Sequence, residues 1–227
     1  RQGQGSVCIM SPSETPVRGT RLVAGEGPLE IEDGVFELWP GFLGNLEASS
    51  YLAALRNKID WHTPRVFVYG RWVDSPRQSA WYGDNGAVYR YSGTVNQPNP
   101  WLPELDDLRE QLNQFCASRF NSVLANHYRS GKDSMGWHSD DEKELGADPV
   151  IASVSLGGAR RFLLQHRRRK DLPIHEIVME NGSLLVMRDG SQQAWRHSVP
   201  KTRLTVAPRI NLTYRHVIAT TEATGVT

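Results

Sequence analysis

Along residues 208–215 polar and apolar side chains alternate without a break: Arg209, Asn211, Thr213 and Arg215 fall on one side, Ile210, Leu212 and Tyr214 on the other. A period of two over that length marks a strand with two chemically distinct faces, and 209–217 is expected to be one. Further strand-like runs lie at 123–128, 151–156, 161–165, 175–179, 183–187 and 194–198. Two stretches repeat at helical spacing instead. Leu105, Leu108, Leu112 and Phe115 follow one another at 3, 4 and 3 residues and predict a helix over 104–120, with Pro103 suited to its first turn. Leu46, Leu52, Leu55 and Ile59 form a partial stripe that predicts a helix over 45–59.

Many short strands joined by turn residues read as a mainly β fold with flanking helices (α+β). The expected architecture is a double-stranded β-helix, or jelly roll, with the two helices covering the outside of a sheet. Asp189-Gly190-Ser191 is a turn ahead of the strand that carries His197. The chain has 227 residues, for which one domain is the expectation. A Gly- and Pro-rich opening, 1–35, is expected to be a poorly ordered tail. A single domain follows over 36–220, with helices and a lid in 36–122 and the jelly-roll core in 123–217, and then a C-terminal tail, 218–227.

Two cysteines, Cys8 and Cys116, argue against a disulfide framework and favour a reducing, intracellular compartment. No apolar stretch approaches membrane-spanning length, and the N-terminus lacks the basic-then-apolar order of a secretory signal. The expected state is a monomer with no membrane contact. Net charge is +1, unevenly spread: 151–227 holds 12 Lys and Arg against 5 Asp and Glu, a surplus of +7 that leaves −6 for 1–150. The densest element is Arg160 and Arg161 followed by Arg167, Arg168, Arg169 and Lys170, at what reads as a hairpin tip. Such a run is either a solvated loop or the electrostatic footprint of nucleic-acid binding.

His138 and Asp140, two residues apart, project to the same side of an extended chain and can reach one metal ion. Alone this pair is a common pattern. His197, 57 residues beyond Asp140, supplies a third ligand from another strand. Two imidazoles and one carboxylate with positions left open form the facial set that holds Fe(II) for oxygen chemistry. The polar face of 209–215 suits either a solvated surface or a buried anion pocket, since guanidinium forks bind carboxylates bidentately. Asn126 and Tyr128 share a face in the same way.

These residues carry a resemblance. Asn126-x-Tyr128, His138-x-Asp140-Asp141-Glu142, His197-Ser198-Val199-Pro200 and Arg209-Ile210-Asn211-Leu212-Thr213-Tyr214-Arg215 resemble the AlkB family of Fe(II)- and 2-oxoglutarate-dependent nucleic-acid dealkylases, above all the animal homologues that repair double-stranded DNA. Pro64-Arg65-Val66-Phe67-Val68-Tyr69-Gly70-Arg71-Trp72, with Tyr82-Gly83-Asp84 and Tyr91-Ser92-Gly93, is similar to that family's N-terminal nucleotide-recognition lid. The resemblance implies Fe(II) on His138, Asp140 and His197, with 2-oxoglutarate and O2 as co-substrates. Arg209 and Tyr128 would take the distal carboxylate of 2-oxoglutarate. Arg215 and Asn126 would lie near the carboxylate at the metal, with Asn211 and Thr213 beside them. The implied reaction is oxidative demethylation of 1-methyladenine and 3-methylcytosine, with etheno adducts as a further class, releasing formaldehyde, succinate and CO2.

A base must leave the stack before its methyl can reach the iron. The resemblance implies that His138 and Tyr91 sandwich it, that Tyr89 and Glu142 contact its edge, and that Asp141 helps to position it. Tyr69, Gly70 and Arg71 would meet DNA from the lid, and Arg160, Arg161, Arg167, Arg168, Arg169 and Lys170 would reach the opposite strand. Tyr69 departs from the phenylalanine wedge of the double-strand repair relatives, and its hydroxyl is costly to bury unpaired. Single- or double-stranded alkylated DNA is the expected partner, with RNA as the alternative. Two further readings are a protein or small-molecule hydroxylase of the same cofactor class and a non-catalytic nucleic-acid binding module. His62, His127, His166, His175 and His216 have no partners at ligand spacing and are expected to be satisfied or exposed.

Overall fold

Alternating strands with opposed faces require two layers to bury them, and the computed structural model has that form. It describes residues 20–218 apart from 24, 69, 92 and 93. A seven-stranded sheet runs in the order β2 (Gly27–Pro28), β3 (Val35–Trp39), β14 (Leu184–Arg188), β11 (Ile151–Gly157), β16 (Arg209–Arg215), β9 (Ser122–Tyr128), β6 (Gln78–Gly83). Facing it is a five-stranded sheet, β1 (Thr20–Leu22), β13 (Ile174–Met179), β12 (Arg160–His166), β15 (Trp195–Val199), β10 (Met135–His138). Two hairpins stand apart, β4 (Arg65–Val68) with β5 (Arg71–Asp74) and β7 (Tyr89–Tyr91) with β8 (Thr94–Asn96). The mainly β jelly-roll expectation is met.

Period-two alternation sorts the larger sheet into two cores. Ile210, Leu212 and Tyr214 of β16, with Val154 and Leu156 of β11, pack outward beneath the helices α1 (Asn45–Lys58) and α2 (Pro103–Cys116). Phe36 and Leu38 of β3, Leu185 and Met187 of β14 and Tyr128 of β9 point inward and meet Phe162, Leu164, Ile177 and Trp195 of the facing sheet. Burial of such apolar surface stabilises the fold by roughly 25 cal/mol per Å².

Several expectations are corrected. Helix α2 stops at Cys116 because Ala117 turns left-handed (φ 48°), and its buried stripe ends on Cys116 rather than Phe115. Phe115 is 46% exposed and packs edge-on against Trp39 and Phe42, with ring centroids 5.3 and 5.2 Å away. Leu46, expected on the buried side of α1, is 90% exposed, and Ala48 and Leu55 form that helix's core contact. Tyr82, expected in the lid, is buried in β6 under the helices. Within the expected tail, residues from Thr20 onward contribute β1 and β2, and Ile31 joins the inter-sheet core. Gly157 (φ 92°) lets β11 end against residues 207–208, where a Cβ would stand 2.4 Å from the Pro208 carbonyl oxygen.

Candidate metal and co-substrate site

β10 and β15 pair antiparallel with His138 directly opposite His197, so register alone brings the two imidazoles together at a ring separation of 4.2 Å. Asp140 lies two residues past the end of β10. That turn is fastened from one side of the barrel: the Asp140 N–H donates to Gln192 Oε1 at 3.0 Å and the Ser139 hydroxyl to the Trp195 carbonyl at 2.8 Å. One ligand atom from each of His138, Asp140 and His197 lies within 4.8 Å of the others. His138 Nδ1 is 2.9 Å from the Gly136 carbonyl oxygen, which makes it a donor and leaves Nε2 for a metal. Phe162 stacks on His197 at 5.1 Å.

The charges suit a divalent cation. Burial alone would raise the Asp140 carboxyl, but the Arg215 guanidinium, 2.7 Å away, with His197 and His138 holds it down at about 2. Burial, reinforced by His138, pushes the His197 imidazole down to about 3, and desolvation lowers His138 as well. A carboxylate and two neutral imidazoles are the protonation states that a metal ion needs.

The polar side of β16 faces inward. Arg209, Asn211, Thr213 and Arg215 are all buried, which decides between solvated surface and pocket. Their neighbours are polar too: β11 sets Ser155 opposite Asn211 and Ser153 opposite Thr213, while β9 sets Tyr128 opposite Arg209 and Asn126 opposite Asn211. Arg209 Nη2 donates to Ser155 Oγ (2.7 Å) and Asn211 Oδ1 (3.0 Å). Its Nε and Nη1 are buried beside Tyr128 and meet no well-formed hydrogen-bond acceptor among the described residues, and burial pulls the guanidinium down to about 10. Buried donors are rarely left unmatched, so this fork fits a carboxylate. Tyr128 stands between two arginines, its ring 5.2 Å from the Arg209 guanidinium and 5.4 Å from that of Arg160. A narrow cleft links Tyr128, Asn126 and Asn211 to His138, Asp140 and His197.

Two residues of this site escaped the sequence reading. Arg77, buried just before β6, donates from Nε to Asn126 Oδ1 at 2.7 Å and orients that amide. Gln192, in the single helical turn α3 (Ser191–Ala194), fixes the Asp140 backbone. Neither spacing nor periodicity marks them.

The nucleic-acid residues divide. Arg160 is 3% exposed and donates to the carbonyls of Ser130 (3.2 Å), Asp133 (2.8 Å) and Pro200 (2.7 Å), so its place as a strand-reaching residue is corrected to a tie between two loops. Arg161 is half-buried and bonded to Glu176 at 2.7 Å, which turns it along the sheet rather than outward. Arg167, Arg168, Arg169 and Lys170 are exposed on the β12–β13 hairpin tip. Arg167 reaches Asp141 at 2.7 Å. Arg169 is held by Asp171 and by Glu32, each at 2.7 Å. His166 caps the same tip, its Nδ1 accepting the N–H groups of Arg168 and Arg169 while Nε2 lies 3.2 Å from Asp33. Gly70 (φ 77°) lies in the link between β4 and β5, exposed Arg71 opens β5, and Glu142 is partly buried. Tyr69 lies outside the described residues, as do the side chains of Tyr89 and Tyr91.

Residues 36–215 match the family model described as the 2OG-Fe(II) oxygenase superfamily. The chain is 37% identical over 190 residues to DNA oxidative demethylase ALKBH2 of Bos taurus, covering 80% of this chain and 68% of that protein. It is 38% identical over 214 residues to the alpha-ketoglutarate-dependent dioxygenase alkB homolog 3 of Mus musculus, covering 87% and 73%. The solved structure of OsALKBH1 shares the fold with a TM-score of 0.55 at 20% identity, over 79% of this chain and 97% of that one.

Proposed function

This chain belongs to the 2OG-Fe(II) oxygenase superfamily, and from that premise we propose that it is a DNA repair dioxygenase that reverses N-alkyl base damage. The observation that carries the reading is the convergence of His138, Asp140 and His197 beside the inward arginines of β16. When bound there, Fe(II) with 2-oxoglutarate and O2 supplies oxidation of an N-methyl group, with succinate, CO2 and formaldehyde as products.

The protein's own groups prepare that chemistry. His138 and His197 present neutral imidazoles. Arg215 holds Asp140 Oδ1 at 2.7 Å and so leaves Oδ2 as the ligating oxygen. Arg209, with its two unmatched donors and Tyr128 alongside, takes the distal carboxylate of 2-oxoglutarate. Asn126, steadied by Arg77, lies with Asn211 and Thr213 between Arg209 and the metal ligands. Met135, Phe162, Met187 and Val199 wall the cleft with apolar surface and keep bulk water from it.

The substrate is single- or double-stranded DNA carrying 1-methyladenine or 3-methylcytosine, with RNA as the alternative to be tested. Asp141, Glu142, Tyr89 and Tyr91 serve the flipped base, and Tyr69, Gly70 and Arg71 meet the strand from the lid. The enzyme works as an intracellular monomer. No helix among the described residues is long and apolar enough to cross a membrane. Mass spectrometry of methylated single-stranded and duplex oligonucleotides, with and without Fe(II) and 2-oxoglutarate, tests the proposal. Methyl loss requires both and disappears in His138→Ala; turnover that survives that change refutes it. Tight binding to methylated DNA without formaldehyde release would instead identify a binding module.

A further inference from the structure

β10 is the outermost strand of its sheet, and alternation sends His138 into the barrel while Trp137, its neighbour, faces outward. Trp137 is 38% exposed, large for an aromatic side chain one residue from a metal ligand. It is backed by Arg196 of β15, whose guanidinium carbon lies 5.4 Å from the ring centroid. Arg196 is fixed in turn by two hydrogen bonds to Gln165 Oε1, at 3.1 and 2.6 Å, and has no carboxylate partner among the described residues. Arg196 also lines an open cleft with His138, Ser139, Asp141 and Arg167, so the shelf and the metal site share one rim. Gly136 leaves the approach clear: a side chain there would meet nothing within 4 Å.

We propose that Trp137, backed by Arg196, is a stacking shelf for a nucleobase adjacent to the one turned into the active site. The inference rests on the reading of the enzyme as a nucleic-acid dealkylase and deepens it. Removing one base from the stack leaves its neighbours without a partner on one side. An exposed indole offers a replacement face that accepts any base, and the rigid cation behind it supplies positive charge for the phosphate that links the two nucleotides. The strand then passes over the free edge of β10, with the lesion inside the barrel and its neighbour outside.

The test is a cycle between protein and DNA. A single-stranded oligonucleotide with one 1-methyladenine is compared with two others in which the base just 5′ or just 3′ of the lesion is replaced by an abasic residue. In the natural protein one of the two replacements should raise KM about tenfold, the scale of one lost stacked base. In Trp137→Leu the same replacement should change KM less than twofold, and Trp137→Tyr should restore the sensitivity. Trp137→Thr, compatible with a strand, serves the same purpose if the leucine variant does not fold. Equal sensitivity in the natural protein and in the leucine or threonine variant, at both positions, overturns the shelf. If the natural protein removes no methyl group, the dealkylase reading fails instead, and the same cycle read by fluorescence anisotropy on unmethylated oligonucleotides decides the shelf.

Discussion

Arg215 Nη2 lies 2.7 Å from Asp140 Oδ1, so a buried cation at the end of β16 orients the one carboxylate among the three metal ligands. Groups that orient a ligand commonly contribute 10–100-fold to metal affinity or activity. Arg215→Ala should therefore weaken metal binding by about 10–100-fold, read by titrating the metal-free protein with Mn(II). Arg215→Lys should recover only part of the loss, since an ammonium is a point charge without the planar fork.

Arg209 predicts a different signature. Its unmatched Nε and Nη1 await an anion, so 2-oxoglutarate should raise the melting temperature of the natural protein. Arg209→Met removes an uncompensated buried charge. It should retain or increase the stability of the protein without 2-oxoglutarate, abolish the shift, and raise KM for 2-oxoglutarate at least about 100-fold, the cost of one charge-assisted pair.

Arg160 and Arg168 should separate stability from DNA contact. Arg160→Ala strands three carbonyl acceptors and should cost about 3 kcal/mol in urea unfolding, with no change in the salt dependence of DNA binding. Arg168→Ala should leave stability alone and flatten the slope of log K against log salt by about 0.9 on duplex DNA. A salt-slope change in the Arg160 variant would show that it meets phosphate after all.

Acid should destabilise the metal-free protein earlier than carboxylates alone would require. His197 is held down at about 3 from 6.5, so between those values the unfolded chain binds a proton that the folded chain refuses. Stability therefore rises with pH through that window and falls as acid is added. Asp140, held at about 2, adds stability above its unfolded value near 3.8 that is lost on further acidification. Urea midpoints at pH 7 and pH 5 should differ in the natural protein and differ less in His197→Asn, the remainder coming from the other histidines that burial lowers, His138, His127 and His175.

Cys116 makes a simpler case. Burial pushes its thiol up to about 11, so it is protonated at neutral pH, and alkylation by iodoacetamide should wait for unfolding.

What could be read in advance was what is local. The two faces of β16 differ in chemistry at every step, and His138, Asp140 and His197 carry their ligand character in their side chains. β6 offered no such contrast, because five of its six residues are buried and both of its faces are covered. β10 was too short to show a period, and β3 fell in a stretch assigned partly to a tail. The arginines were the least legible. Arg77, Arg160 and Arg168 look alike in sequence, yet one steadies an amide, one ties loops and one is exposed, and only distant neighbours distinguish them. Phe115 and Cys116 show the same limit at one helical step, where the turn at Ala117 and the rings of Trp39 and Phe42 decide which side chain goes inside.

Glu32 and Asp33 precede the stretch matched by the family model, yet they grasp Arg169 and His166 at the tip of the basic hairpin. These acidic groups and a DNA backbone are rivals for the same cation. On the proposed reading of the tip as a DNA contact, a strand approaching it would have to displace these carboxylates from Arg169 or meet Arg168 and Lys170 alone, so the tip would offer less free positive charge than its run of basic residues suggests. Shortening the chain to begin at Gly34 would remove the competitor and loosen the hairpin together, leaving Arg169 with Asp171 as its remaining carboxylate among the described residues.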